Sequence, residues 1–123
     1  MSDRLKSSVR VLIVEDNVIV ASILQEIVSM LGYAVIGPAG DQHSAYNLTN
    51  TTRIDAALIS VSLLSAAEDS VANHLVSRCI PFALITDYSD HHDFGNGESP
   101  LLPKPFTGLQ MATLLEKLLE KKY

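Results

Sequence analysis

The stretch Ile54-Asp55-Ala56-Ala57-Leu58-Ile59-Ser60-Val61-Ser62 decides the fold. From about Asp55 to Ile59 it reads as a buried strand that carries one polar side chain, Ser60, to its carboxyl end. Two further apolar runs end in the same abrupt way. Val9 to Val14 is rich in β-branched residues and closes on Glu15-Asp16-Asn17. Phe82 to Ile85 follows Pro81 and closes on Thr86. Lys104 lies inside Leu102-Pro103-Lys104-Pro105-Phe106, after a short strand at Leu101 and Leu102. In a parallel α/β sheet all such carboxyl ends open on one crevice.

Helical patterns fill the intervals. Val20, Ile23, Leu24, Ile27, Val28 and Leu31 recur at spacings of three and four, which predicts one buried helix face. Gly32 caps it. Tyr33 to Gly37 reads as a strand closed by Pro38. Asp41 to Thr52 is a weaker helix, with Ala45 and Leu48 as a thin apolar face and Asn and Thr lowering its propensity. Ser62 to Asp69 reads as a loop. A third helix places Val71, Ala72, Leu75, Val76 and Cys79 on its buried side. Asp87 to Ser99 is poor in apolar residues and is expected to be a loop with at most a short helix. Thr107 and Gln110 have capping-box spacing. Met111, Leu114, Leu115, Leu118 and Leu119 form the last helical stripe, with Lys117, Lys121 and Lys122 toward its negative end. Five strands alternating with helices predict a parallel sheet covered on both faces.

The chain's 123 residues suit one domain, 1–123 with a core over about 9–121. Its 47% hydrophobic content is enough for a core at that length. The net charge of −5 and the lack of a dense basic run argue against nucleic acid. No apolar run reaches the roughly 20 residues of a membrane span. The polar start, Met1 to Ser8, lacks the apolar region of a signal peptide, so a cytoplasmic location is expected. Cys79 is the single cysteine, which excludes an internal disulfide, and its apolar neighbours predict a buried, inert thiol.

Several of these segments resemble the receiver domain of two-component response regulators. They are Val11-Leu12-Ile13-Val14-Glu15-Asp16-Asn17, Leu31-Gly32-Tyr33, Gly37-Pro38-Ala39, Ile80-Pro81-Phe82, Ile85-Thr86-Asp87-Tyr88 and Leu102-Pro103-Lys104-Pro105-Phe106. The resemblance covers nearly the whole chain. It implies a flavodoxin-like (CheY-like) three-layer αβα sandwich with a five-stranded parallel sheet in the order 2-1-3-4-5. It further implies that Glu15 and Asp16 hold Mg²⁺, that Thr86 is the switch hydroxyl, and that Lys104 neutralises a phosphoryl oxygen, with the Lys104-Pro105 bond cis. The Gly-Pro-Ala and Ile-Pro-Phe pieces are similar to a subgroup of single-domain bacterial receivers.

The departures from that pattern carry the functional reading. The phosphate-accepting aspartate is replaced by Ser60. Ser62 offers a metal only its backbone carbonyl. Leu63-Leu64-Ser65-Ala66 stands where a Pro-Gly turn is usual. Asp87 occupies a normally small position, and Leu101 replaces the aromatic switch residue. An acyl phosphate needs an ionised carboxylate nucleophile and a screening cation. A serine hydroxyl is neutral and a poor nucleophile without a base. The site charge falls from about −3 to about −2, so weak Mg²⁺ binding is expected. Lys104 is expected to pair with Glu15, Asp16 or Asp87.

Other chemistries find less support. Ser60 has no flanking glycines for a nucleophile elbow. His91 and His92 are adjacent and diverge, which suits a solvated loop better than a metal pair. No glycine-rich cradle suggests a nucleotide or flavin. Bland roles remain for single residues: a solvated loop at Glu15 and Asp16, a locally bonded hydroxyl at Thr86, a surface lysine at Lys104. The expectation is an atypical stand-alone receiver, not an enzyme, working by protein contacts without acyl phosphorylation at position 60. A histidine kinase or a downstream signalling protein is the expected partner, and a homodimer through the last helix face is compatible with the family. Two alternatives stay open: a phosphorelay regulator modified on Asp16 or Asp87, and a pseudo-receiver that binds a small molecule in the pocket.

Overall fold

The computed structural model describes residues 8–63, 71–86, 101–103 and 106–120. In chain order its elements are β1 (Arg10–Val14), α1 (Val18–Met30), β2 (Ala34–Ala39), α2 (Gln42–Thr51), β3 (Ala56–Ser60), a 3₁₀ turn (Val61–Leu63), α3 (Val71–Ser77), β4 (Phe82–Thr86), β5 (Leu101–Pro103) and α4 (Gly108–Glu120). The strands form one sheet in the order β2-β1-β3-β4-β5, and every pairing is parallel. This is the flavodoxin-like α/β winding that the alternation predicts.

The period-two alternation of strand side chains divides the core into two layers. Val11, Ile13, Ala56, Leu58, Ala83 and Ile85 pack with Leu24 and Val28 of α1 and with Met111, Leu114, Leu115 and Leu118 of α4. Leu12, Val14, Ala57, Ile59 and Leu84 pack instead with Ala45 of α2 and with Val71 and Leu75 of α3. β3 is buried at all five positions, as a strand covered on both faces must be.

Local chemistry fixes the ends of the elements. Asn17 Oδ1 accepts from Ile19 N (3.0 Å) and Val20 N (3.1 Å) and so starts α1. Gly32, at φ 99°, ends it: Gly32 N donates to Ser29 O, and Tyr33 N donates to Val28 O. The Thr107–Gln110 capping box forms reciprocally, at 2.7 and 3.1 Å. At the opposite edge of the sheet from the crevice, Arg10 N donates to Asp55 Oδ2 (2.8 Å) and Asp55 N donates to Arg10 O (2.8 Å), which ties β1 to β3 where both begin.

Four sequence expectations need correction. The second strand does not close at Pro38. It runs to Ala39 with a cis Gly37-Pro38 bond, and its register with β1 slips between Leu12 and Val14. Gly37 is required there, because at φ 93° an added Cβ would lie 2.8 Å from Ala39 N and 3.1 Å from Ile13 O. Cys79 is exposed rather than buried. It sits at φ 58° just past α3, where Ile80 N donates to Leu75 O and Cys79 N to Val76 O, so a cysteine holds the position that ordinarily favours glycine. Val76 is 62% exposed, because α3 ends at Ser77 and buries only Val71 and Leu75 fully. Ile23 is 47% exposed, and Ala21 takes its place on the buried face of α1. The expected loop of Ser62 to Asp69 opens on the 3₁₀ turn at Val61–Leu63, and the rest of it, like Asp87 to Ser99, lies outside the described residues.

Candidate functional site

The site is set by strand register. Val14 of β1 stands opposite Ile59 of β3, so Glu15 leaves β1 level with Ser60. Ser60 stands opposite Ile85 of β4, and Thr86 is the next residue along. Thr86 in turn stands opposite Pro103, the last residue of β5. Glu15, Ser60 and Thr86 are therefore brought together at the carboxyl edge of three adjacent strands. All three are buried, at 3%, 3% and 4% exposure, among strands whose other inward residues are apolar.

Each side chain is held by its local chain. Glu15 N donates to Ala39 O (2.9 Å), a contact that the slipped register at Gly37-Pro38 makes available. Glu15 Oε2 accepts from Asn17 N (3.0 Å), which folds the carboxylate toward the amino end of α1. Partial positive charge there favours an anion. Asp16, by contrast, is exposed. Ser60 ends β3, and the 3₁₀ turn at Val61–Leu63 carries the chain away from it. Thr86 ends β4. Leu101 opens β5, as the sequence predicts. Lys104 and Asp87 lie outside the described residues.

Two carboxylates and two hydroxyls make a hard-oxygen site of low charge. Among the described residues no group of three or more His, Cys, Asp or Glu side chains could hold a metal ion. Glu15 and Asp16 alone still meet the minimum that Mg²⁺ uses, one or two carboxylates with the remaining positions filled by water. The sequence reading missed one polar arrangement, a line of contacts between α2 and α3. It joins residues about 28 apart in sequence, so no local periodicity announces it.

No family model and no curated protein matches the chain. Solved structures do. SdrG from Sphingomonas melonis Fr1 is 30% identical, with a TM-score of 0.75 over 90% of this chain and 96% of that one. The PhyR response regulator REC domain of Erythrobacter litoralis is 25% identical, with a TM-score of 0.77 over 93% and 92%. The chain is a receiver-fold domain. A signal receiver domain of a modulated diguanylate cyclase from Desulfovibrio desulfuricans G20 adds to the set, at 28% identity and TM-score 0.77 over 91% and 94%. The receiver fold places Glu15, Ser60 and Thr86 of this chain at one sheet edge, and the alcohol at position 60 sits between the other two.

Proposed function

We propose that this receiver-fold domain is an atypical response regulator module that acts in two-component signalling through protein contacts, without acyl phosphorylation at position 60. The observation that carries this reading is the buried Ser60 at the end of β3, level with Glu15 and beside Thr86. Forming an acyl phosphate requires a carboxylate oxygen to attack phosphorus and the donor's leaving group to depart. Ser60 supplies only a neutral hydroxyl. The similarity to a response regulator receiver domain supports the signalling role, and no described helix is long and apolar enough to cross a membrane.

Mg²⁺ fits the donor set, with Glu15, Asp16 and the Ser62 backbone carbonyl as the groups that would hold it. Bound there, it would screen an anion at the crevice. Glu15 already spends one oxygen on Asn17 N, so affinity below that of a three-carboxylate site follows. The site residues Thr86 and Lys104 would then hold a hydrogen-bonded or ion-paired cluster in place of a phosphoryl group.

Exposed side chains support a protein partner and favour α1 over the last helix as the contact surface. Val18, Ile19 and Met30 are 73–79% exposed on α1. Glu26 is the single charged residue of that helix. A partner helix bearing an apolar stripe and one basic side chain complements it. The outward residues of α4 are mostly polar: Thr113, Glu116, Lys117 and Glu120, with Leu109 as the apolar exception.

The rival reading assigns a phosphoryl group to Asp16 or Asp87, and the exposure of Asp16 gives it one point of support. The test is incubation of the full chain with acetyl phosphate and Mg²⁺, followed by borohydride trapping and peptide mapping at neutral pH. An unmodified chain supports the proposal. A trapped aspartyl adduct at either carboxylate replaces it with the rival.

A further inference from the structure

α2 and α3 are joined by three contacts that share the helical repeat. Gln42 Oε1 accepts from Val71 N at the start of α3 (3.0 Å). Four residues on, the ring of Tyr46 lies against that of His74, with centroids 4.3 Å apart and planes tilted by 34°. Four residues further, Asn50 Oδ1 accepts from Arg78 Nη1 (3.2 Å). Residues 42, 46 and 50 of α2 thus meet 71 and 74 of α3 and 78 just past its end, at helical spacing on both sides. The outer contacts are hydrogen bonds. The middle one is a ring contact, and it contains a group that can change charge.

His74 Nε2 is buried and has no hydrogen-bond partner among the described residues. A neutral imidazole can leave one nitrogen unpaired there at modest cost. An imidazolium would carry an N–H donor, and part of a positive charge, into the same dry position. Among the described residues no carboxylate offsets a charge at His74; the Tyr46 ring attracts a cation but gives a buried Nε2–H no acceptor. On α2 and its cap the titratable groups are Asp41, His43 and Tyr46; Arg78, one residue past the end of α3, repels a second positive charge. Beneath, β3 and β4 present Ala57, Ile59 and Leu84 to this layer. Burial first, and Arg78 second, push the His74 ring below its ordinary value.

We propose that the His74–Tyr46 contact is an acid-sensitive latch that holds α3 against α2 when the imidazole is neutral and releases α3 when it is protonated. Among the described residues α3 is the next element after the turn that leaves Ser60, so the latch acts on the part of the chain that follows the candidate site. The sign follows from the direction of the shift. The open form binds the proton more readily, so opening grows as pH falls below about 6.5 and levels off below the closed-form value. In that window it can rise by at most about tenfold per pH unit.

The test uses the full ¹⁵N-labelled chain, with the His74 ring resonances and the amide exchange of residues 72–77 followed from pH 7.5 to 5. Exchange is corrected for its intrinsic pH dependence. The expected result is a His74 midpoint below 6.5, with opening of α3 rising two- to tenfold as the pH falls while β1 and β3 amides stay protected. His74→Phe, which keeps a ring against Tyr46, is expected to abolish the rise. Should that variant fail to fold, His74→Gln serves the same purpose. An ordinary His74 midpoint with unchanged α3 exchange overturns the proposal, as does an acid response that persists in a folded variant.

Discussion

Replacing Cys79 with glycine should make the protein more stable. Cys79 holds φ 58° immediately past α3, a conformation that costs an L-residue about 1–2 kcal/mol. Glycine removes that strain but gives back about 0.5–1 kcal/mol through the larger freedom of the unfolded chain. The thiol is exposed, so its loss removes little buried surface. The difference is a gain of about 0.5–1 kcal/mol. With a urea m-value of about 2 kcal/mol/M, the unfolding midpoint should rise by about 0.3–0.5 M. Cys79→Ala keeps both the strain and the exposure and should leave the midpoint unchanged. Native Cys79 should also react with a maleimide without prior unfolding. The reasoning is refuted if Cys79→Gly lowers the midpoint, which is the result a buried thiol predicts, since glycine would then leave a cavity.

Three further substitutions probe the frame around the site. Gly37→Ala should destabilise by about 1–3 kcal/mol in the same urea assay, because its Cβ would meet Ala39 N and Ile13 O at a positive φ. Thr107→Ala should cost about 1 kcal/mol, and amide exchange in the first turn of α4 should speed up as the reciprocal contact with Gln110 is lost. Asp41 accepts from Ser44 N (2.7 Å), and that backbone contact holds its carboxyl below the ordinary value. Its contribution should therefore be complete above about pH 4 and fade as pH falls through the lower folded value. Asp41→Asn, which can still cap α2, should flatten that part of the pH–stability curve.

Much of this architecture is legible because the strongest signals are local. β1, β3 and β4 are unbroken apolar runs, and each stops at a polar residue that burial then confirms as a strand end. That is why Glu15, Ser60 and Thr86 can be placed without coordinates. Gly32 and the Thr107–Gln110 pair are equally local. What escaped depends on backbone angle or on distant partners. Apolar character suggested a buried Cys79, whereas a left-handed residue after a short helix turns its side chain outward. Pro38 suggested a strand end, whereas the edge strand β2 needs no N–H on its open side and continues to Ala39. The spacing of three and four on α1 fits two faces at once, because the helix has nine apolar residues in 13. Burial then chose Ala21 over Ile23. The α2–α3 contacts join side chains that no repeat in the sequence connects.

The most direct measurement on the central claim is a beryllofluoride titration of the ¹⁵N-labelled full chain in saturating Mg²⁺. In an acyl-phosphate site beryllofluoride mimics the phosphoryl group by coordinating the ionised carboxylate that would accept it. With Ser60 at the end of β3, the spectrum should match that of Mg²⁺ alone at Glu15, Ser60 and Thr86. A saturable shift of those resonances on adding beryllofluoride would contradict the account.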